Sequence, residues 1–230
     1  MKSIKLITLT LAPLMLATSV SAAVLDIRQE YLPRAHEFNP VNENATLVKI
    51  GGSSGNTFFG VQIVNKGKTL DTYALSSSEI QLGYRYHVNE THTLIPKIDF
   101  TSTSSGVMYT PQLGLQSNWD YGIFTELKYK HEITVPSNST KYIKQKSQYQ
   151  AKVGYKATKA LTFQLEYDYH KGLDDQYYWD KHDFKHEIEF KTYYKVAPGI
   201  TPYITFAGVP VGATVSGYQL RYRLGLLYSF

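Results

Sequence analysis

The sequence has 230 residues, with 24 lysines and arginines against 19 aspartates and glutamates and a formal net charge of +5 at pH 7. It has no cysteine, which excludes a disulfide framework, a thiol nucleophile and a thiolate metal site. Tyrosine is the outlier at 20 residues, and rings with a polar tip suit a membrane–water boundary.

The first residues read as an export signal. Lys2 and Lys5 give a positive end, 6–17 an apolar stretch, and Val20-Ser21-Ala22 a small-residue cleavage site. An apolar run of this length falls short of the ~18 residues of a membrane helix. A signal peptide over 1–22 leaves 23–230 as one domain of 208 residues. No later segment resembles a membrane helix, so crossing a membrane would require strands.

The rest divides into short runs of period-two alternation separated by turn residues. Strands are predicted at 24–32, 44–51, 56–65, 78–88, 92–101, 106–117, 119–132, 141–156, 160–171, 182–195, 199–207 and 218–230. Twelve is an even number, as bacterial single-chain barrels have. After even-numbered strands come tight turns: Gly52-Ser53-Ser54-Gly55, Asn89-Glu90, Ser117-Asn118, Ala157-Thr158-Lys159 and Ala197-Pro198-Gly199. After odd-numbered strands the links are mostly longer, at 33–43, 66–77, 172–181 and 208–217, with 102–105 the short exception. That asymmetry places both termini on the periplasmic side.

The last strand shows the pattern most clearly. Tyr218, Leu220, Tyr222, Leu224, Leu226, Tyr228 and Phe230 alternate with Gln219, Arg221, Arg223, Gly225, Leu227 and Ser229. One face therefore meets an apolar medium and the other a polar one. A strand closing on Phe is also what an outer-membrane barrel presents to its assembly machinery. A soluble β-sandwich would explain alternation, but not the tyrosine excess or this strand. The fold class is all-β: a 12-stranded antiparallel transmembrane β-barrel in the outer membrane of a Gram-negative cell.

Alternation assigns faces. Ile80, Leu82, Tyr84, Tyr86 and Val88 point to lipid, sending Gln81, Gly83, Arg85 and His87 inward. Leu161, Phe163, Leu165, Tyr167 and Tyr169 do the same for Gln164, Glu166, Asp168 and His170. The rule sends Arg28, Lys49, Lys97, Lys128, Lys130, Lys152, Lys185, Lys191, Arg221 and Arg223 to the lumen. It also sends in Asp26, Glu30, Asp99, Glu126, Glu166, Asp168, Glu187 and Glu189. A one-residue slip would reverse a strand. Twelve strands ~4.8 Å apart and tilted near ~40° give a backbone radius of roughly 12 Å, hence a pore about 10 Å wide.

Opposite charges on neighbouring strands can pair and simply stiffen the wall. Cations left over would form a track for anions, as rings of Arg or Lys do in anion pores. Arg221 and Arg223 are the first candidates for such leftover charge, extended by Arg28 once the barrel closes. Lys128 and Lys130, with Lys152 beside them, form a second line. Tyr193 and Tyr203 are inward aromatics that could meet sugar rings.

Four segments carry a family resemblance. Leu25-Asp26-Ile27-Arg28 opens the first strand, Thr201-Pro202-Tyr203 lies near the end, and Tyr222-Arg223-Leu224-Gly225 closes the chain. Leu82-Gly83-Tyr84-Arg85-Tyr86 fits the middle. With these the chain resembles the oligogalacturonate-specific porins of the KdgM type, which include sialic-acid porins. The resemblance implies a monomeric twelve-stranded barrel with two Arg- and Lys-lined tracks for acidic sugars, with Arg28 and Arg223 carried over directly. Segment 208–217 departs from it by lacking charge, and Lys outnumbers Arg in the lumen.

An outer-membrane enzyme is the rival, because His170, His182 and His186 gather near the fifth external link. On a strand, however, His182 and His186 would stand about 13 Å apart, and the sequence has no Gly-x-Ser-x-Gly. A non-conducting structural barrel is the second rival. The sequence favours a passive pore for small anionic saccharides that is not an enzyme and uses no cofactor. Its pore-lining residues are Arg28, Lys49, Arg85, Lys97, Lys128, Lys130, Lys152, Arg221 and Arg223. Its expected partners are acidic saccharides, outer-membrane lipids and the barrel-assembly machinery, with no nucleic acid.

Overall fold

The structure, a computed structural model, describes residues 22–33, 43–69, 72–138, 142–174 and 177–230. The expected signal peptide lies outside these residues, apart from Ala22 at the start of the first strand.

Twelve antiparallel strands follow in order: β1 (Ala22–Leu32), β2 (Glu43–Ser54), β3 (Thr57–Gly67), β4 (Ala74–Tyr84), β5 (His92–Thr103) and β6 (Gly106–Asn118). The second half is β7 (Ile123–Pro136), β8 (Lys144–Lys156), β9 (Leu161–Gly172), β10 (Phe184–Tyr194), β11 (Ile200–Gly212) and β12 (Val215–Ser229). Strand β4 resumes past Arg85 as Tyr86–His87, still paired with β5. Each strand pairs with its sequence neighbours, and β1 closes the cylinder on β12, from Val24 opposite Ser229 to Tyr31 opposite Tyr222. No edge is left open, as an element in hydrocarbon requires.

Local chemistry sets the turns at the rim where β1 begins. Gly55 takes a positive φ of 56° between β2 and β3, and Gly199 one of 77° before β11. Asn89 Oδ1 accepts hydrogen bonds from the backbone N–H groups of Thr91 and His92, at 2.9 and 2.7 Å. Thr158 Oγ1 does the same for Ala160 and Leu161, at 3.1 and 2.9 Å.

Several predicted boundaries move. Strand β7 starts at Ile123 rather than 119, because Asp120–Gly122 forms a helical turn with Tyr121 at φ 61°. Strand β4 reaches back to Ala74 rather than 78, shortening the expected loop. Strand β2 runs to Ser54, leaving only Gly55 and Asn56 to turn. The expected loop 208–217 is no loop: β11 and β12 continue as a hairpin to Gly212 opposite Val215, with a register shift after Pro210. Its apolar Val-Pro-Val run is strand because it adds rungs to the ladder, and the uncharged character noted in the sequence belongs to that hairpin.

Burial is inverted relative to a water-soluble core. Among the described residues, sixteen polar or charged side chains are buried against five hydrophobic ones, so the interior is polar. The outside is a band of Ile27, Ile63, Ile80, Leu113, Leu127, Val153, Leu165, Ile188, Ile204 and Leu224, all exposed. Aromatics flank it at both ends. Tyr84, Trp119, Tyr155, Tyr194 and Tyr228 lie toward the rim where β1 begins. Toward the other rim runs a ring-to-ring ladder, with Tyr129–Tyr149 at 5.2 Å, Tyr149–Tyr169 at 6.2 Å and Tyr169–Phe184 at 6.2 Å.

Three inward rings lie flat against the wall, each on the glycine directly across the ladder: Phe58 on Gly83, Phe124 on Gly154 and Tyr203 on Gly225. A Cβ at those glycines would meet the ring Cζ at 2.2, 1.9 and 2.2 Å. Only glycine leaves room, a device that fills the space above a bare backbone with a neighbouring ring. Gly154→Val should therefore cost about 1–3 kcal/mol of barrel stability by overpacking. The check is a lower urea midpoint for unfolding in lipid vesicles, largely restored when Phe124→Ala is added.

Candidate functional site

The lumen is the site, and ladder register decides what meets what within it. All nine sequence-derived cations lie on the inward face and are half-buried, seven of them between exposed neighbours on the outer one. Their surroundings differ.

The strongest charge cluster joins β10, β12 and β1. Arg223 Nε donates to Glu30 Oε2 at 2.6 Å, and Arg223 Nη1 donates to Glu189. Arg221 lies 3.3 Å from Glu187, 3.6 Å from Glu189 and 3.8 Å from Glu30. Lys191 holds Glu189 at 3.1 Å and Lys185 holds Glu187 at 2.5 Å. The arginines reach acids two strands away because β11 offers only Thr205 and Ala207 between them, opposite Arg223 and Arg221. Those two small residues are 0% and 1% exposed, roofed by the ion pairs. Arg221 and Arg223, expected as leftover charge, are thus paired, Arg221 with three acids and Arg223 with two.

A second cluster spans β7 to β9. Glu126 sits between Lys128 at 2.5 Å and Lys152 at 2.9 Å, and Lys152 also reaches Glu166 at 3.4 Å. Glutamines tie the remaining acids. Gln150 donates to Glu166 at 2.6 Å and Asp168 at 3.0 Å, and Gln148 to Asp168 at 2.7 Å. On β5 and β6, Asp99 meets Lys97 at 3.0 Å and accepts from Gln112.

Four of the nine make no ion pair among the described residues. Lys49 donates to the neutral Gln81 Oε1 at 2.5 Å, and Arg85 lies 4.6 Å from the centre of the Phe58 ring. Arg28 buries its Nε without a partner, and Lys130 has no acid in range. Lys49, Arg85, Lys97 and Lys128 come together on one cavity of about 450 Å³ with Gln81, Gln112 and Phe58. Glu126 is the one acid among its lining residues. Sequence reasoning did not single out Glu79, Gln112, Gln148 or Gln150, although each sits at an inward parity position in its strand. Their role as bridges depends on which strand stands opposite.

The three histidines do not converge. His170 points inward and is buried, while His186 faces outward with its Nδ1 2.5 Å from Tyr167 Oη. His182 stacks on Trp179 at 5.7 Å. Above the barrel, Lys171 lies 2.5 Å from Asp183 and holds that carboxyl below the usual carboxylate range. Burial, with Glu132 and Asp174 nearby, pushes the Tyr178 phenol up to about 12.

The sequence profile of the family described as oligogalacturonate-specific porin protein (KdgM) matches residues 16–230. The chain belongs to this family. Among solved structures it is similar to the NanC porin, at 17% identity and a TM-score of 0.72, over 89% of this chain and 98% of that one. It is similar to the KdgM porin at 22% identity and a TM-score of 0.65, over 90% and 99%. A further KdgM porin structure, described as a complex with disordered oligogalacturonate, gives 20% identity and a TM-score of 0.66, over 90% and 99%. No curated protein matches the chain. These likenesses show the same barrel, and family membership makes the chain an outer-membrane porin.

Glu189 is the acid shared by Arg221, Arg223 and Lys191, so its neutralisation releases charge into the lumen. At ~8 Å in a water-filled pore one unit charge shifts ion partition by about twofold. Glu189→Gln should raise anion and lower cation partition by that factor each, and so raise the anion-to-cation permeability ratio about fourfold, read as the reversal potential across a KCl gradient.

Proposed function

We propose that this porin conducts small acidic saccharides passively down their gradient, with no cofactor and no chemical step. The observation that carries this is the cavity whose lining sets four cations, Lys49, Arg85, Lys97 and Lys128, against one acid, Glu126, with Lys49 and Arg85 in no ion pair among the described residues. In a pore about 10 Å wide, a Debye length near ~8 Å lets unpaired cations act across the whole section. Their field favours anions, while the partly exposed side chains keep each contact weak enough for release. The family, and a relative's structure with oligogalacturonate, support uronic-acid oligomers as the solute class.

The pore-lining set is ordered by pairing. Lys49, Arg85, Arg28 and Lys130 carry the available charge, and Lys97, Lys128 and Lys152 share theirs with acids. Arg221 and Arg223 mainly hold the wall. The barrel acts as a monomer surrounded by outer-membrane lipids, inserted by the assembly machinery through its last strand after removal of a signal peptide ending near Ala22.

The purified protein in a planar bilayer should be anion-selective, and trigalacturonate should block its current where neutral maltotriose does not. Replacing Lys49 and Arg85 together by Met should weaken that block roughly three- to tenfold. A cation-selective pore, or one that trigalacturonate does not block, would overturn the proposal.

A further inference from the structure

Two rows of the ladder compare directly. In one, Arg221 stands opposite Ala207 and Ala207 opposite Glu189. In the other, Lys49 stands opposite Gln62 and Gln62 opposite Glu79. Each row places a cation and an acid two strands apart on the inward face. Across the small Ala207 the charges approach to 3.6 Å. Across Gln62 they do not meet, and neither Lys49 nor Glu79 enters an ion pair among the described residues.

Lys49 takes a different route. Its Nζ donates to Gln81 Oε1 at 2.5 Å, passing over the bare backbone of Gly60. A Cβ on Gly60 would lie 3.3 Å from both Lys49 Cε and Gln81 Oε1. The other end of the same amide, Gln81 Nε2, donates to Glu79, whose second oxygen accepts from Thr101 at 3.0 Å. Asp26 stands directly opposite Lys49, and its Oδ1 accepts from Tyr203 Oη at 2.8 Å. Two acids therefore lie within two strands of Lys49, and both are bonded to neutral donors instead. Lys49 and Gln81 line the cavity, while Asp26 and Glu79 are not among its lining residues. The same relay recurs at Gln150, which accepts from Lys128 at 3.0 Å and donates to Asp168 at 3.0 Å.

An amide suits this position because it accepts at one end and donates at the other. It satisfies a lysine and a carboxylate at once and carries no charge of its own. A carboxylate in its place would cancel the lysine. An apolar side chain would leave the half-buried ammonium to find the nearest acid.

We infer that Gln81 is a positioning residue that keeps Lys49 unpaired and turned to the cavity. It acts through Lys49 and sets how much of the cavity's positive charge meets a solute. The inference rests on the acidic-saccharide function and adds to it a neutral residue that tunes the strength of anion binding.

The test is block of the bilayer current by trigalacturonate in a two-by-two set of variants. Gln81→Met keeps the length and removes both hydrogen bonds. With Asp26 and Glu79 in place it should weaken block about threefold. In an Asp26→Asn/Glu79→Gln background, where neither partner is charged, the same change should leave block unaltered. Gln81→Asn keeps the amide but is too short to span Gly60. It covers a Met variant that does not fold, and should weaken block in the same acid-dependent way. An equal effect in both backgrounds, or none in either, would overturn the inference, because a packing role does not depend on the acids. If trigalacturonate does not block the unaltered pore, the acidic-saccharide function falls instead, and the same variants read by KCl reversal potential still decide the role of Gln81.

Discussion

Everything in this molecule depends on satisfying backbone hydrogen bonds in hydrocarbon, where no water can substitute for a missing partner. Closure of β1 on β12 meets that demand and removes both edges of the sheet. Once the sheet is closed, period-two alternation has only two destinations, lipid and lumen. The side chains that cannot face lipid must therefore solve their own electrostatics inside. The aromatic girdles, the polar interior and the paired charges are all results of that one constraint.

Inside, acids and bases are not spread evenly. Where β11 is thin, at Thr205 and Ala207, arginines cross it and are locked by Glu187, Glu189 and Glu30. Around Lys49 and Arg85, a neutral glutamine and an aromatic ring stand where acids would otherwise be. For the proposed function, where the acids are withheld matters more than the excess of positive charge. That is consistent with a passive channel, which must attract its solute without retaining it.

Alternating aromatics made most strands legible in the sequence, and the inward positions of all nine cations followed from parity alone. What parity could not give was the partner. Arg223 bonds Glu30 at a separation of 193 residues, and its reach to Glu189 depends on the small residue on the strand between them. The hairpin from Gly208 to Gly217 was hidden because Pro, Gly and Val there look like loop chemistry when the ladder is unseen. The ring–glycine pairs were equally hidden: Phe58, Gly83, Phe124 and Gly154 are ordinary residues until register puts them opposite each other.

The seam between the first and last strands ties folding to function. Across it, Tyr203 Oη donates to Asp26 at 2.8 Å and Arg223 bonds Glu30, joining residues 177 and 193 positions apart. Contacts so distant along the chain carry the largest loop-closure cost and form late, after local hairpins have assembled. A barrel still open at this seam has Arg223 without Glu30 and Tyr203 without Asp26, so its wall charges are not yet those of the finished pore. The wall charges of the finished pore are therefore complete only once the seam between the first and last strands has closed.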